Sequence, residues 1–295
     1  MRFAKGHGTE NDFVILPDPD GAVDLTGTLA ARLCDRRAGV GGDGVLRATR
    51  VASSLAGANG GAEWFMDYRN ADGSLAEMCG NGIRVFARYL IEHGLTASDE
   101  FGVATRAGTR QVRAEPDGAI TVDMGLPRVL GPGRALLAGQ PFDGLAVSLG
   151  NPHLACVASD PLDSFDLSRP PVLDPGQFPE GANFELVRIA GAGHIEMRVY
   201  ERGCGPTRSC GTGAVAAAVA AAAATAPAAT VTAPAGAPVP AGTWTVDLPG
   251  GRLRVILGRE TSFLSGPAVI VAEGELDERW LSERPGFPPQ SSPDA

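Results

Sequence analysis

Long apolar runs, clustered basic residues and closely paired cysteines are all missing from this chain of 295 residues. Without about 20 consecutive apolar residues no helix can span a bilayer; the alanine-rich stretch 214–224 is too short and too weakly hydrophobic. At a net charge of −9 and with no block of Lys or Arg, the basic footprint of a nucleic-acid partner is absent. The five cysteines, Cys34, Cys79, Cys156, Cys204 and Cys210, form no Cys-x-x-Cys pair, and no His-x-His accompanies them, so no metal site is expected. Their odd number and wide scatter argue for reduced thiols in a cytoplasmic protein. The opening MRFAKGHGTENDF is charged, lacks an apolar core and does not read as a signal peptide. No GxGxxG and no Walker lysine is present, which sets nucleotides aside.

What the chain does hold is enough apolar residue, 44%, for two domains with separate cores. Its 40 glycines and 23 prolines stand mostly between apolar runs, marking many turns and short strands. Helical spacing covers 25–36 and 83–94, the latter closed by Gly94. A third helix, 213–224, is apolar all round and so expected to be buried. Strands are expected at 13–16, 45–48, 64–68, 145–149, 184–188 and 194–200. An antiparallel meander fills 102–124, a hairpin 243–257 turns at 249–251, and 263–273 forms a last strand. Residues 127–139 read as a connector between domains, 150–153 as a polar loop and 161–181 as a surface excursion. Segments 53–61 and 226–242 read as loops, and 282–295 as a frayed tail. The expected division is 1–127 plus 266–295 against 128–265.

The stretch 200–215, YERGCGPTRSCGTGAV, organises this plan. A strand enters a Gly/Pro turn, and Cys210-Gly211-Thr212-Gly213 then opens a helix. The same arrangement occurs at Cys79-Gly80-Asn81-Gly82, and 210 − 79 is 131 residues, about half the chain. A helix mouth offers free N–H groups and the positive end of the macrodipole, which favour a thiolate or hold a carboxylate. The helix end contributes about 0.3–2 kcal/mol. That lowers a free thiol of about pKa 8.5 by roughly 0.2 to 1.5 units. Cys34 and Cys156, inside apolar runs, read instead as small buried hydrophobes. Two thiols facing one cleft suit inversion at a carbon bearing an acidic hydrogen, one removing the proton and the other donating to the opposite face. The helix mouths would stabilise the carbanion through the substrate carboxylate. A redox pair and an anion-binding protein are the rival classes.

The stretches KGHGTENDFV, MDYRNADGSLAEMCGNGIRVFARYL, GNPHLACV, GANFELV and VYERGCGPTRSCGTGAVAAAV resemble the diaminopimelate epimerase family over nearly the whole chain. The resemblance implies an α/β (α+β) fold of two pseudo-symmetric domains, each a curled, mainly antiparallel sheet around a central helix, with the active site between them. It implies epimerisation of LL- to meso-2,6-diaminopimelate without pyridoxal phosphate or metal, in lysine and peptidoglycan precursor synthesis, by a homodimer. A racemase of another amino acid on the same scaffold, such as a proline racemase, is the nearest alternative. By matching motif, Cys79 and Cys210 would be the acid/base thiols. Asn11, Asn70, Gly80, Asn81, Asn151, Asn183, Glu201, Arg202, Gly211 and Thr212 would bind substrate, and His153 and Glu201 would assist the thiols. Two positions depart from the pattern: Pro206 stands where glutamate is expected, and Gly44 where some members carry glutamine.

Overall fold

The computed structural model describes residues 1–51, 61–226 and 233–282. Of the expected loop 53–61, positions 53–60 lie outside this set, as do positions 227–232 and the tail beyond Ser282. The first half runs β1 (Arg2–Gly8), β2 (Asn11–Pro17), α1 (Gly27–Cys34), β3 (Gly44–Arg50), β4 (Trp64–Asn70), α2 (Gly80–Glu92), β5 (Glu100–Thr105), β6 (Gly108–Ala114) and β7 (Ile120–Gly125). The second opens with β8 (Arg128–Leu137), β9 (Gln140–Ser148), β10 (Pro152–Val157), a 3-10 turn at Leu162–Ser164 and β11 (Val172–Leu173). It continues with β12 (Asn183–Gly191), β13 (His194–Glu201), β14 (Gly205–Thr207), α3 (Gly211–Thr225), β15 (Gly242–Leu248), β16 (Gly251–Leu257) and β17 (Ser262–Gly266). The short β18 (Val269–Glu275) and α4 (Glu278–Ser282) close the described chain.

The pairings repeat. In the first half β2 runs parallel to β3, β3 antiparallel to β4, β4 parallel to β5, and β5, β6 and β7 form a meander. In the second, β10 is parallel to β12, β12 antiparallel to β13, β13 parallel to β15, and β15, β16 and β17 form the matching meander. The two meanders join through antiparallel β7 and β17. After β17 the chain returns to the first half, where β18 pairs with β1. Each half therefore curls a mixed, mainly antiparallel sheet around one helix, α2 or α3, as expected.

The two helices fill these curls differently. In α2 the face of Ile83, Val85, Phe86, Ala87 and Leu90 is buried while Glu92 stays at the surface, the pattern of an amphipathic helix on a sheet. In α3 every residue from Gly211 to Ala222 is buried. Alanine and valine there let strands approach on all sides, so sheet enclosure supplies what the short side chains lack.

Three expectations are corrected. Residues 127–139 hold the ten-residue strand β8 instead of a connector. Its inward positions Val129, Ala135 and Leu137 are buried, and an irregularity between Val129 and Gly131 broke the alternation that would have revealed it. Pro152 and His153 are not loop but the start of β10. The strand expected at 263–273 is two, β17 and β18, separated at Pro267 and paired with different partners. Proline cannot donate to a ladder, and here it marks the switch between halves.

Candidate active site

Both cysteines cap helices. Cys79 is the N-cap of α2, where its Sγ accepts from the Gly82 N–H at 3.3 Å, and Cys210 is the N-cap of α3, accepting from Gly213 at 3.4 Å. The helix starts abut: a Cβ on Gly211 would stand 3.0 Å from the Gly80 Cα, and one on Gly80 would stand 3.3 Å from the Gly211 Cα. A methyl at either position would press on the facing backbone, so glycine at both favours that approach and the Cys-Gly pairs of the two halves lie side by side.

Side chains around Cys79 bridge the halves. Asn11, at the start of β2, donates from Nδ2 to Asp43 Oδ2 at 2.7 Å. That leaves its Oδ1 to accept from Asn81 Nδ2 at 3.1 Å and to face the Cys79 Sγ–H at 3.8 Å. Asp43 in turn pairs with Arg36, which also binds Asp12 together with Lys5. Those two cations hold the Asp12 carboxyl well below the usual range against the opposing effect of burial. Asn81 is buried, and its Nδ2 also reaches Ser209 O at 3.1 Å and Ser209 Oγ at 3.2 Å, immediately before Cys210.

The Cys210 side uses a different set. Asn151 donates from Nδ2 to Thr212 Oγ1 at 3.3 Å, and Thr212 Oγ1 contacts Cys210 Sγ at 3.5 Å. His153 Nε2 donates to Asn151 Oδ1 at 3.1 Å, while its Nδ1 hydrogen-bonds Glu185 Oε1 at 2.7 Å. His153 and Glu185 have fully buried side chains. Both ring nitrogens of His153 are thus engaged away from the sulfur, to which His153 is linked through Asn151 and Thr212. Glu185 lies directly beneath α3, since a Cβ on Gly213 would stand 2.7 Å from its Oε1. Its charge complements the helix mouth.

The remaining expected residues divide. Glu201 accepts from the Thr207 hydroxyl and hydrogen-bonds Cys210. Burial pushes its carboxyl up, and those two hydrogen bonds oppose the push. Asn183 Oδ1 accepts from the Arg202 backbone N–H at 2.9 Å. The Arg202 side chain is exposed, donating weakly to Glu180 O at 3.5 Å. Asn70 Nδ2 donates to Ser74 Oγ at 3.0 Å, closing the turn that leads towards Cys79 and contacting neither cysteine loop. Pro206 sits opposite Tyr200 in the β13–β14 hairpin, so Thr207 rather than a residue at 206 orders Glu201. At Gly44 a Cβ would stand 2.6 Å from both Arg69 O and the Tyr68 ring; the Tyr68 phenol fills the place of a side chain.

One electrostatic expectation is overturned. Burial outweighs the helix mouths, so that Cys79 is pushed up to about 11 and Cys210 well above the ordinary thiol value. Backbone N–H groups pull each back, Gly82 on Cys79 and Gly213 on Cys210, but Glu201 adds to the rise at both. Sequence reading missed Glu185, Asp43, Arg84, Thr9 and Ser209. A glutamate inside the apolar run Phe184–Val187, and an arginine between Ile83 and Val85, were the available signals: charge is rarely buried without a purpose. Among the described residues no group of three His, Cys, Asp or Glu converges to hold a metal ion, and no helix is long and apolar enough to cross a membrane.

Comparison with known proteins places this arrangement. A family model described as diaminopimelate epimerase matches residues 3–130 and 145–271. The diaminopimelate epimerase of Thermobifida fusca is 58% identical over 282 residues, covering 94% of this chain and 98% of that protein. That of Mycolicibacterium smegmatis is 49% identical, covering 95% and 98%. Among solved structures, a hydroxyproline epimerase from Agrobacterium vitis superposes with TM-score 0.62 at 14% identity, covering 93% of this chain and 91% of that one. A phenazine biosynthesis protein of the PhzF family from Bacillus anthracis gives 0.61 at 16% identity, covering 94% and 98%. These two share the fold.

Proposed function

The chain belongs to the diaminopimelate epimerase family and is an isomerase acting on diaminopimelate in lysine biosynthesis; from that premise we propose that Cys79 and Cys210 invert the substrate α-carbon as a two-base pair. The thiolate of one cysteine takes the α-proton and becomes a thiol, leaving the C–H electron pair on carbon. The thiol of the other donates its proton to the opposite face and is left as a thiolate. Backbone N–H groups at Gly80, Asn81, Gly211 and Thr212 hold the substrate carboxylate and stabilise the carbanion. Asn11, fixed in orientation by Asp43, and Asn151, fixed by His153, frame the reacting carbon. Asn70, Asn183, Glu201 and Arg202 bind the rest of the substrate, with LL-diaminopimelate going to the meso form.

The observation that supports this reading most is the contact of Gly80 with Gly211, which sets two thiol-capped helix mouths against each other. Cys79→Ala and Cys210→Ala are each expected to lower turnover by about 10² to 10⁴, the range of a lost acid or base. The unaltered enzyme in deuterated water is expected to place solvent deuterium on the inverted carbon. Full turnover by either variant would sink the assignment. The proposed domains, 1–127 with 266–295 and 128–265, follow the chain's crossing after β7 and its return after β17. We also place the enzyme in the cytoplasm as a homodimer. Among the described residues β18 pairs only with β1 and exposes Val269 and Val271, an edge suited to a second copy. A sedimentation mass equal to one chain would remove the dimer.

A further inference from the structure

The repeat permits a position-by-position comparison of the two thiol environments. The β2–β3 register pairs Phe13 with Gly44 and Ile15 with Leu46, where β10–β12 pairs His153 with Asn183 and Ala155 with Glu185. Phe13 and Leu46 therefore occupy beneath Cys79 the places that His153 and Glu185 occupy beneath Cys210. A Cβ on Gly82 would meet Leu46 and Phe13 at 3.3 and 3.4 Å, just as one on Gly213 meets Glu185. On the helices the offset is 211 − 80 = 131, so Arg84 of α2 corresponds to Val215 of α3. The Cys79 half thus has a cation and an apolar floor, and the Cys210 half an acidic floor and no cation.

Arg84 is fully buried, and among the described residues no carboxylate lies within ion-pair distance. Its charge also sits in the first turns of a helix, where the macrodipole opposes it. Such a position is costly unless a negative charge arises nearby. The guanidinium points back towards the helix start, as helical side chains do. Nη1 donates to Gly80 O at 3.3 Å and to Asn81 Oδ1 at 3.0 Å, and Nη2 donates to Thr9 Oγ1 at 3.2 Å. Thr9 and Ser209 hydroxyls hydrogen-bond at 2.6 Å. Both arms of the fork therefore end on Ser209, one through Asn81 and one through Thr9. Thr9 itself has φ of 51°, a strained left-handed conformation for a β-branched residue, at the tip of the β1–β2 hairpin.

We propose that Arg84 is a positioning residue with two effects on the epimerase site: its fork registers the Cys210 loop against α2, and its charge makes Cys79, rather than Cys210, the member of the pair that ionises first. The countercharge that the folded chain lacks is the one formed at Cys79 during the reaction. The charged or titratable groups facing Cys79 are Arg84 on its own helix, Glu201 from β13 and Tyr68 from β4. Only Arg84 favours the thiolate. Cys210 faces Glu201 and Glu185, both of which favour the thiol. Burial pulls Arg84 down to about 10, and the Cys79 charge pushes it back up. The proposal rests on the two-base reading for its meaning but not for its test.

The test is alkylation of each cysteine by iodoacetamide across pH 7–10, read by peptide mass spectrometry, with exposed Cys204 as internal reference. Arg84→Gln keeps an amide donor and loses the charge. One pK unit of rise leaves tenfold less thiolate, partly offset by greater nucleophilicity, so Cys79 is expected to react about three- to tenfold more slowly relative to Cys204. Arg84→Lys keeps the charge and loses the fork, and is expected to hold the Cys79 rate within about twofold while epimerisation falls tenfold or more. An unchanged Cys79 rate in Arg84→Gln overturns the proposal. If that variant does not fold, a Cys79 rate in Arg84→Lys reduced threefold or more does the same. Loss of the two-base reading would show separately, as full turnover in Cys79→Ala.

Discussion

At the scale of single residues, the buried pair under α3 shows how this chain treats polarity as something to be completed or avoided. His153 and Glu185 satisfy each other and anchor Asn151, but Glu185 Oε2 has no partner among the described residues. Replacing one member of such a pair strands the other, at about 1–3 kcal/mol, whereas replacing both with apolar groups of similar shape is nearly neutral. The first half already supplies the apolar version, Phe13 and Leu46. Glu185→Leu alone is therefore expected to lower the melting temperature by about 2–10 °C. His153→Phe with Glu185→Leu is expected to recover most of that loss. Turnover is expected to stay at least about tenfold down in the double variant, because Asn151 has then lost the donor that fixes its amide. A double variant as active as the original protein would show that Asn151 needs no such anchor.

At the scale of elements, the α2–α3 contact sets two glycine effects against each other. Alanine is favoured over glycine inside a helix by about 1 kcal/mol. At Gly211, however, the added methyl would stand 2.9 Å from Leu264 Cδ2 and 3.0 Å from the Gly80 Cα. The leucine can swing aside; the backbone of α2 cannot move without shifting the Cys79 cap, and overpacking costs about 1–3 kcal/mol. The steric effect wins, and Gly211→Ala is expected to lose both stability and more than tenfold in turnover. Gly191→Ala, with open space around its Cβ and no positive φ, is the control expected to change neither. Equal melting temperatures for the two variants would remove the close contact from the argument. This contact also marks where sequence reading stopped. The Cys-Gly-x-Gly repeats, the apolar spacing of 83–94 and the all-apolar 213–224 were legible because each is a local pattern. Leu46 and Glu185 became comparable only through strand register, which no local pattern encodes. The strand β8 was hidden because Pro132 and a register irregularity interrupt its alternation.

At the scale of the whole molecule, the same enclosure that builds the site governs its response to alkali. Local reasoning placed the thiols at helix mouths correctly but had no means of counting the strands that would exclude water from them. Burial is the first cause of the rise at Cys34, to about 12, at Cys79, to about 11, and at Cys156 and Cys210 as well. A thiol in the unfolded chain releases its proton near 9, so between about pH 9 and 11 the native state binds more protons than the unfolded one. Stability then falls as pH rises, being fully present below about 9 and lost progressively above it. Melting temperature is expected to be flat from pH 7 to 8.5 and to drop steadily to pH 11. Calorimetry in buffers of different ionisation enthalpy is expected to register net proton release on unfolding at pH 10 and little at pH 7. Because Cys79 is the least raised of these four buried or half-buried thiols, Cys79→Ala should shallow the slope between about pH 9 and 11 and leave unchanged the loss above pH 11, which the other three carry. A melting temperature independent of pH across this window would mean that the thiols are as hydrated in the native state as in the unfolded chain. In that case the cleft would not exclude water, and helix-mouth stabilisation of a carbanion would be screened to little effect.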